Sequence, residues 1–398
     1  MWPPRWNRGD RSVNEWFIAA AWIGLAFVAS LISIRTAVSV ALVEILVGVV
    51  AGNFLHVPAT EWTTFLAGFG SILLTFMAGA EVEPQVLRRY LRESLALGFI
   101  GFIVPFVGAA AYCHYVAHWA PSASWIGGIA LSTTSVAVVY AVMIETRLNE
   151  TPFGKVILAA CFINDLGTVL ALGVIFAHYN AWLLLFVGVT VLVLAAAPHV
   201  TERLLDRFGG HVSEPGVKFV FFLLFALGGL AMQANSEAVL PAYLLGLAVA
   251  SVFASHRDMV RRLRTTVFAF LTPFYFLRAG TLVSLPAVGT GVGLIAVLLL
   301  VKVAAKIVGV WPMTRLFRFS GRQGWYTTLL MSTGLTFGTI SALFGYNRGI
   351  ITQEQYTILV AVVIASAVIP TLIAQAWFRP SRDEAMRVSG RPDNASAA

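Results

Sequence analysis

Charged residues are scarce in this sequence. Asp, Glu, Lys and Arg together make up 12% of its 398 residues, whereas soluble globular proteins contain about 25%. Hydrophobic residues make up 58%, and the mean hydropathy is +0.82. This composition excludes a soluble domain as the main part of the chain. It leaves room for roughly a dozen membrane-spanning helices of about 20 residues each.

Cysteine, metal-ligand patterns and nucleotide-binding motifs are scarce too. Cys113 and Cys161 are the only cysteines, and both lie inside apolar runs, so a disulfide framework is not expected. The seven histidines show no ligand spacing, and no glycine-rich loop of the Walker type occurs. We therefore predict no metal centre, no cofactor and no enzymatic activity. The net charge of +8 comes from short clusters between apolar runs. Such clusters indicate anchoring to anionic membrane lipid and not nucleic-acid binding.

Polar residues divide the chain into thirteen apolar runs, which we interpret as membrane spans. The predicted spans are 16–34, 37–55, 62–80, 94–116, 124–144, 155–178, 181–198, 217–234, 238–255, 264–284, 288–311, 325–346 and 355–378. No small-residue cleavage site follows the first run, so we interpret it as a retained helix. The predicted organisation is an N-terminal tail over 1–15, one transmembrane domain over 16–378 and a C-terminal tail over 379–398.

Basic residues are concentrated in alternate loops. The clusters lie at 88–92, 147–155, 203–218, 257–264 and 315–322, and the loops between them are nearly free of Lys and Arg. Cytoplasmic loops hold the excess of positive charge, so these loops and the C-terminal tail are predicted to be cytoplasmic. An odd number of spans places Arg5, Arg8 and Arg11 outside, against this rule. Twelve crossings, with a first run that does not cross, are the alternative.

One acid stands in the middle of a predicted span. Asn164 and Asp165 lie about half-way along 155–178. A charge at the bilayer centre costs several kcal/mol unless it is partnered or solvated, so an acid at this depth indicates ion transport. A carboxylate there could hold a monovalent cation or a proton, and competition between the two would produce exchange. The structural alternative is an acid neutralised by burial or paired to a basic neighbour. Glu44 and Glu81, the other acids near spans, are interpreted as structural.

Three basic residues also lie inside apolar runs. Lys302 and Lys306 are spaced i,i+4 and so share one helical face. Lys306 is the better candidate for an interior role, because Lys302 could equally be tolerated by the packing around it or extend its ammonium group to the membrane surface. Arg278 keeps its charge in practice and needs an acid or carbonyl groups nearby. It is predicted either to support the ion site or to clamp helix ends.

Two predicted spans contain interruptions. Four hydroxyl residues, Ser132, Thr133, Thr134 and Ser135, follow one another in mid-span, and 331–339 combines Ser, Thr and Gly around Thr336. In transporters, broken helices at corresponding positions of two inverted repeats place half-helix ends at a midplane ion site. The alternative is ordinary packing of small residues between helices.

The two interrupted spans occupy matching places in two blocks. Each is the next-to-last span of a five-span block, about 37–178 for repeat one and about 238–378 for repeat two. Two spans separate the blocks, so the second block begins seven spans after the first. An odd offset reverses the direction of every span, which predicts that the second repeat is inverted.

Several segments of the chain resemble the bacterial cation:proton antiporter superfamily, in the branch of sodium/proton and potassium-efflux antiporters. The resemblance rests on the residues of the first interruption and of the intramembrane acid, and on three further short segments. These are Ile163–Gly167, Ser132–Ser135, Leu74–Glu81, Pro273–Phe276 and Lys306–Gly309. It implies an all-α membrane protein with two inverted five-helix repeats and crossed discontinuous helices. It also implies a homodimer in the bacterial inner membrane, with a core domain that moves like an elevator against a dimerisation domain.

The resemblance also implies roles for single residues. Asp165 matches the acid that carries cation and proton, Thr134 and Ser135 match broken-helix positions that line the site, and Lys306 matches the lysine facing the acid pair. Asn164 departs from the Asp-Asp of electrogenic members and resembles the electroneutral ones. Exchange of one Na+ or K+ for one H+ is therefore predicted. A symporter or channel on a related fold and a membrane-embedded lipid enzyme are the alternatives.

Overall fold

The protein is helical throughout the part that the structure describes. The computed structural model describes residues 14–36, 39–80, 82, 89–176, 181–208, 211, 213–234 and 238–386. Ten helical stretches in these residues are long and apolar enough to cross a membrane, and two shorter apolar helices cover Val40–Leu55 and Val239–Ser255. Each predicted apolar run coincides with helix, but the number of thirteen crossings is not confirmed.

We number the helices α1 to α17 in chain order. The first nine are α1 (Glu15–Thr36), α2 (Val40–Val50, extended by a π turn over Ala51–Leu55), α3 (Glu61–Ala80), α4 (Leu91–Tyr115), α5 (Pro121–Ser132), α6 (Val136–Glu145), α7 (Pro152–Ile175), α8 (Ala181–Phe208) and α9 (Pro215–Gln233). The others are α10 (Val239–Ser255), α11 (Arg257–Thr266, followed by a π turn over Val267–Leu271), α12 (Thr272–Thr281), α13 (Leu285–Leu316), α14 (Gly321–Met331), α15 (Thr336–Asn347), α16 (Gln353–Ile373, extended by a π turn over Ala374–Phe378) and α17 (Arg382–Met386).

Two blocks of the chain show the same succession of helices. The helices α2 to α7 are followed, about 200 residues later, by α10 to α16, in which α11 and α12 with the π turn between them take the place of α3. Helix α5 begins at Pro121 and its counterpart α14 at Gly321, while α7 begins at Pro152 and its counterpart α16 at Gln353. The predicted blocks enclose these two sets, and α8 and α9 lie between them.

Glycines bring equivalent helix pairs into backbone contact in both blocks. A Cβ atom on Gly48 of α2 would lie 2.3 Å from the carbonyl oxygen of Leu277 in α12, and one on Gly246 of α10 would lie 2.1 Å from that of Phe76 in α3. Neither position has room for a side chain. The pairs α2–α12 and α3–α10 therefore pack as closely as helices can, which small residues allow inside membranes.

The two predicted interruptions are confirmed, and they meet each other. Helix α5 ends at Ser132 and α6 begins at Val136, while α14 ends at Met331 and α15 begins at Thr336. The backbone N–H of Ser135 donates to the carbonyl of Thr333 at 3.0 Å, so the two non-helical segments touch. The local hydroxyl groups satisfy backbone groups that the interruptions release, which is why such residues suit a break inside the membrane.

The start of the predicted C-terminal tail is attached to the helix bundle. Gln323 Nε2, in the first turn of α14, donates to the carbonyl of Glu384 in α17 at 2.7 Å. Ala385 is fully buried. The short helix α17 therefore packs against the basic end of the bundle.

Candidate functional site

Helix α7 places Asp165 deep inside the protein. Thr151 caps the helix start, where its hydroxyl oxygen accepts from Gly154 N at 3.1 Å, and the helix runs without interruption past Asp165. The side chain is 1% exposed, and its Oδ1 has no hydrogen-bond partner. Buried polar atoms normally have partners, so a carboxylate oxygen without one indicates a place for a ligand or a proton.

Asn164 joins α7 to the first interruption through both ends of its amide. Its Oδ1 accepts from Thr134 N at 3.0 Å, and its Nδ2 donates to the carbonyl of Ser132 at 3.4 Å. A neutral amide can do both, whereas an ionised carboxylate can only accept. Asn164 therefore stabilises the broken helix, whereas Oδ1 of its neighbour Asp165 makes no such hydrogen bond.

Lys306 reaches the same interruption from α13. Its Nζ donates to Thr134 Oγ1 at 2.9 Å, and Thr134 Oγ1 in turn donates to the carbonyl of Met331 at 2.8 Å. The Thr134 hydroxyl thus connects the lysine to the end of α14. Within the described residues, no Lys or Arg nitrogen lies within 4.0 Å of the Asp165 carboxylate. Lys306 is engaged with the broken helices and does not form an ion pair with the acid.

The other predicted hydroxyl residues lie at the same crossing. Ser135 Oγ accepts from Val138 N at 3.3 Å and so caps the start of α6. Ser132 and Thr133 donate to carbonyl oxygens of their own preceding turn, at 2.8 and 3.0 Å. Thr336 is the first residue of α15. The starts of α6 and α15 carry the positive ends of two helix dipoles. That any of these residues contacts the ion stays a prediction.

Arg278 lies apart from this cluster. It lines a cavity of about 460 Å³ between α3, α9, α10, α12 and α15, and none of the residues named above lines that cavity. Tyr275, Asn347 and Arg348 line the same cavity. The structure does not bring Arg278 together with Asp165. No contact therefore supports the predicted role of Arg278 at the ion site.

Lys302 lies inside the protein, at a position that the sequence did not predict. The side chain is fully buried, and its Nζ has no hydrogen-bond partner, so it does not reach the membrane surface. It lies against the second interruption: a Cβ atom on Gly334 would be 2.3 Å from Lys302 Nζ and 3.2 Å from Ser366 Oγ. The i,i+4 spacing to Lys306 predicted a shared face, but nothing in the sequence identified Gly334 as the neighbour.

Four side chains with carboxylate or ammonium groups are buried in the described residues, and three of them have been described. The fourth is Glu44 of α2, which is 2% exposed and whose Oε2 has no hydrogen-bond partner. Two of the four are acidic and two are basic. Glu81, which was interpreted as structural, lies outside the described residues.

Comparisons with known proteins agree with this architecture. Residues 23–379 match the family described as "Sodium/hydrogen exchanger, transmembrane". The chain is 25% identical over 358 residues to the probable Na+/H+ antiporter 3 of Methanocaldococcus jannaschii, an alignment that covers 85% of this chain and 89% of that protein. It is 23% identical over 376 residues to the Na+/H+-K+ antiporter GerN of Bacillus cereus, covering 90% and 94% of the two chains.

A solved structure gives the same result for the fold. The sodium proton antiporter MjNhaP1 from Methanocaldococcus jannaschii superimposes with a TM-score of 0.70 at 15% identity, covering 95% of this chain and 100% of that one. The predicted resemblance and fold class are confirmed. Since the family match extends over nearly the whole length, the chain belongs to the sodium/hydrogen exchanger family of membrane-embedded cation/proton antiporters, which are transporters and not enzymes.

Proposed function

We propose that the protein exchanges one monovalent cation, Na+ or K+, for one proton at Asp165. The observation that carries the proposal is a buried carboxylate, with one oxygen unpartnered, beside the crossing of two interrupted helices. The names of the relatives support the choice of ions: one is called a Na+/H+ antiporter and another a Na+/H+-K+ antiporter.

The chemistry of a single carboxylate provides the coupling. When ionised, Asp165 offers oxygen ligands to a cation that has lost part of its hydration shell; when protonated, it offers a neutral acid and holds no cation. The Thr134 hydroxyl is a candidate second ligand for the cation. It donates its proton to the carbonyl of Met331 and accepts from Lys306 with one lone pair, so its second lone pair is available. The cation and the proton cannot occupy Asp165 at the same time. Each movement of the site across the membrane therefore carries either a cation or a proton.

The neutrality of Asn164 supports a 1:1 stoichiometry. One titrating acid exchanges one positive charge in each direction, so a complete cycle moves no net charge. Lys306 donates to Thr134 and makes no ion pair with Asp165, which favours a structural role for this lysine over a role as a second proton carrier. The membrane potential is therefore expected not to drive transport.

The crossing of the interrupted helices supports movement of one unit against another. Backbone and side-chain bonds join the two breaks, so α5, α6, α14 and α15 move together. The glycine-packed pairs α2–α12 and α3–α10 form the other unit. We propose that alternating access consists of sliding the first unit past the second, in a homodimer in the bacterial inner membrane with the C-terminus in the cytoplasm.

The test is transport by the purified protein in liposomes that contain a pH-sensitive dye. Na+, K+ and Li+ are added in turn, with choline as the control, and proton release is followed. We expect dye responses to Na+ or K+ and none to choline. A potential set with valinomycin should leave the Na+-dependent rate unchanged. A clear dependence on potential would contradict 1:1 exchange and would point to a second titrating group.

A further inference from the structure

The cavity beside Arg278 is lined by none of the residues that form the site around Asp165. Its volume of about 460 Å³ falls within the range of about 300–1,000 Å³ that is usual for small-molecule sites. One end is polar and is formed by Thr64, Arg278, Asn347 and Arg348. Most of the remaining wall is apolar. A cavity of this size with two chemically different ends is suited to an amphiphilic ligand.

The change from polar to apolar runs along the helix axes. Helix α3 begins at Glu61, so Thr64 lies in its first turn. Phe69 lies more than one turn further towards the middle of the helix. Helix α15 ends at Asn347, and Ile340 lies about two turns deeper. The charged groups of the cavity therefore lie at the end of the helix bundle, and its deeper wall is mostly apolar, with Ser71 and Tyr275 as polar exceptions. A membrane lipid has the same order of groups from headgroup to acyl chain.

The charge of the cavity favours an anion. The described lining residues include two arginines and no Asp or Glu. Arg278 is half-buried, and within the described part of the chain its guanidinium makes no ion pair. A guanidinium group keeps its charge at all working pH values. This positive charge repels a free cation, whereas the paired N–H groups of a guanidinium match the oxygen atoms of a phosphate.

We propose that this cavity binds one anionic phospholipid, with its phosphate on Arg278 and one acyl chain along Phe69, Phe225 and Ile340. Phe69 and Phe225 stack at 4.1 Å between ring centroids and form a continuous apolar surface of α3 and α9. Ile340 belongs to α15, on the other side of the cavity. The bound lipid therefore contacts both an interrupted helix and the helices that flank it.

Lipid binding is tested on the full-length protein in a neutral detergent by native mass spectrometry. Phosphatidylglycerol and phosphatidylcholine with identical acyl chains are titrated separately. We expect preferential retention of one phosphatidylglycerol per chain. Arg278→Gln should weaken that binding about tenfold, because it removes a charge-assisted hydrogen bond to the phosphate. Arg35→Gln is the matched control, since Arg35 is an exposed arginine at the end of α1; it should leave the affinity unchanged.

A second variant removes the space and keeps the charge. A Cβ atom on Gly228 would have only Ala238 and Ile72 at 3.9 Å, so Gly228→Leu fits the fold and extends into the cavity. It should displace phosphatidylglycerol, whereas Gly188→Leu, at an open position outside the cavity, should not.

Three results would overturn the proposal. The first is equal retention of the two lipids by the unaltered protein. The second is unchanged phosphatidylglycerol binding in both cavity variants. The third is displacement of the lipid by inorganic phosphate alone at equal concentration, which would identify a site for the free anion.

Discussion

The two repeats have the same helices but different chemistry. In repeat one, α7 carries Asn164 and Asp165 beside the first interruption. About 200 residues later, the corresponding positions of α16 are close to Ala365 and Ser366. Ser366 donates its hydroxyl to the carbonyl of Val363 and carries no charge. The acid therefore comes from repeat one alone.

The basic residues show the opposite bias. Lys302 and Lys306 lie on α13 of repeat two, and the corresponding positions of α4 in repeat one are close to Phe102 and Phe106, whose rings stack at 5.4 Å. At these corresponding positions the duplicated scaffold thus holds one acid in repeat one and a pair of bases in repeat two. The difference teaches that the two repeats share the crossing of broken helices, while their side chains differ, as expected if only one exchange site is present.

The largest expected effect comes from removing the acid. Asp165→Asn keeps the shape of the side chain and removes the charge, so cation-dependent proton movement in liposomes should be abolished. Ser366→Ala alters the corresponding position of repeat two and should keep transport, because one neutral hydrogen bond contributes only about 1 kcal/mol. Exchange that persists in Asp165→Asn would remove the assigned role from this residue.

The next effect concerns pH and tests whether one acid acts alone. A proton and a monovalent cation that compete for one carboxylate shift the half-saturating cation concentration about tenfold per pH unit on the acid side. The maximal rate should change much less. Rates measured over a range of cation concentrations at several pH values give the slope. A slope twice as steep would indicate a second titrating group, and a flat line would indicate a separate pH sensor.

A smaller effect is expected from breaking the link between α7 and the first interruption. Asn164→Ala removes the bonds to Thr134 N and the Ser132 carbonyl. Each buried group left unsatisfied costs about 1–3 kcal/mol, so the unfolding temperature should fall and transport should slow about tenfold. Asn14→Ala, at an exposed asparagine at the start of α1, is the matched control. Equal behaviour of the two variants would show that the amide does not hold the break.

The smallest effect separates the two lysines. Lys302 has no partner for its buried ammonium, so Lys302→Met should raise the unfolding temperature in detergent by a few degrees. Lys306→Met removes the bond to Thr134 and should lower that temperature. If both variants lost stability equally, Lys302 would have to be held by groups other than those seen here.

The sequence predicted much of this architecture because membrane burial leaves few alternatives. Apolar runs, hydroxyl clusters at 132–135 and a matching cluster at 331–339 were enough to predict two broken helices in two blocks. The 264–284 run was less predictable: the structure divides it between α11, a π turn and α12. The positions of Lys302 and Arg278 could not be predicted, since their neighbours come from distant parts of the chain. Glu44 remains a buried acid for which we have no physical account.

The contacts between the two interruptions have a consequence for biosynthesis. The Thr134 hydroxyl donates to the carbonyl of a residue 197 positions later, and the N–H of Ser135 donates to that of Thr333, 198 positions later. A ribosome delivers repeat one to the membrane long before those acceptors exist. Asn164 can satisfy Thr134 N early, but Ser135 N has no such local acceptor. Unpaired backbone groups in hydrocarbon cost several kcal/mol, so we expect the first repeat to keep water at its interruption until the second repeat is inserted.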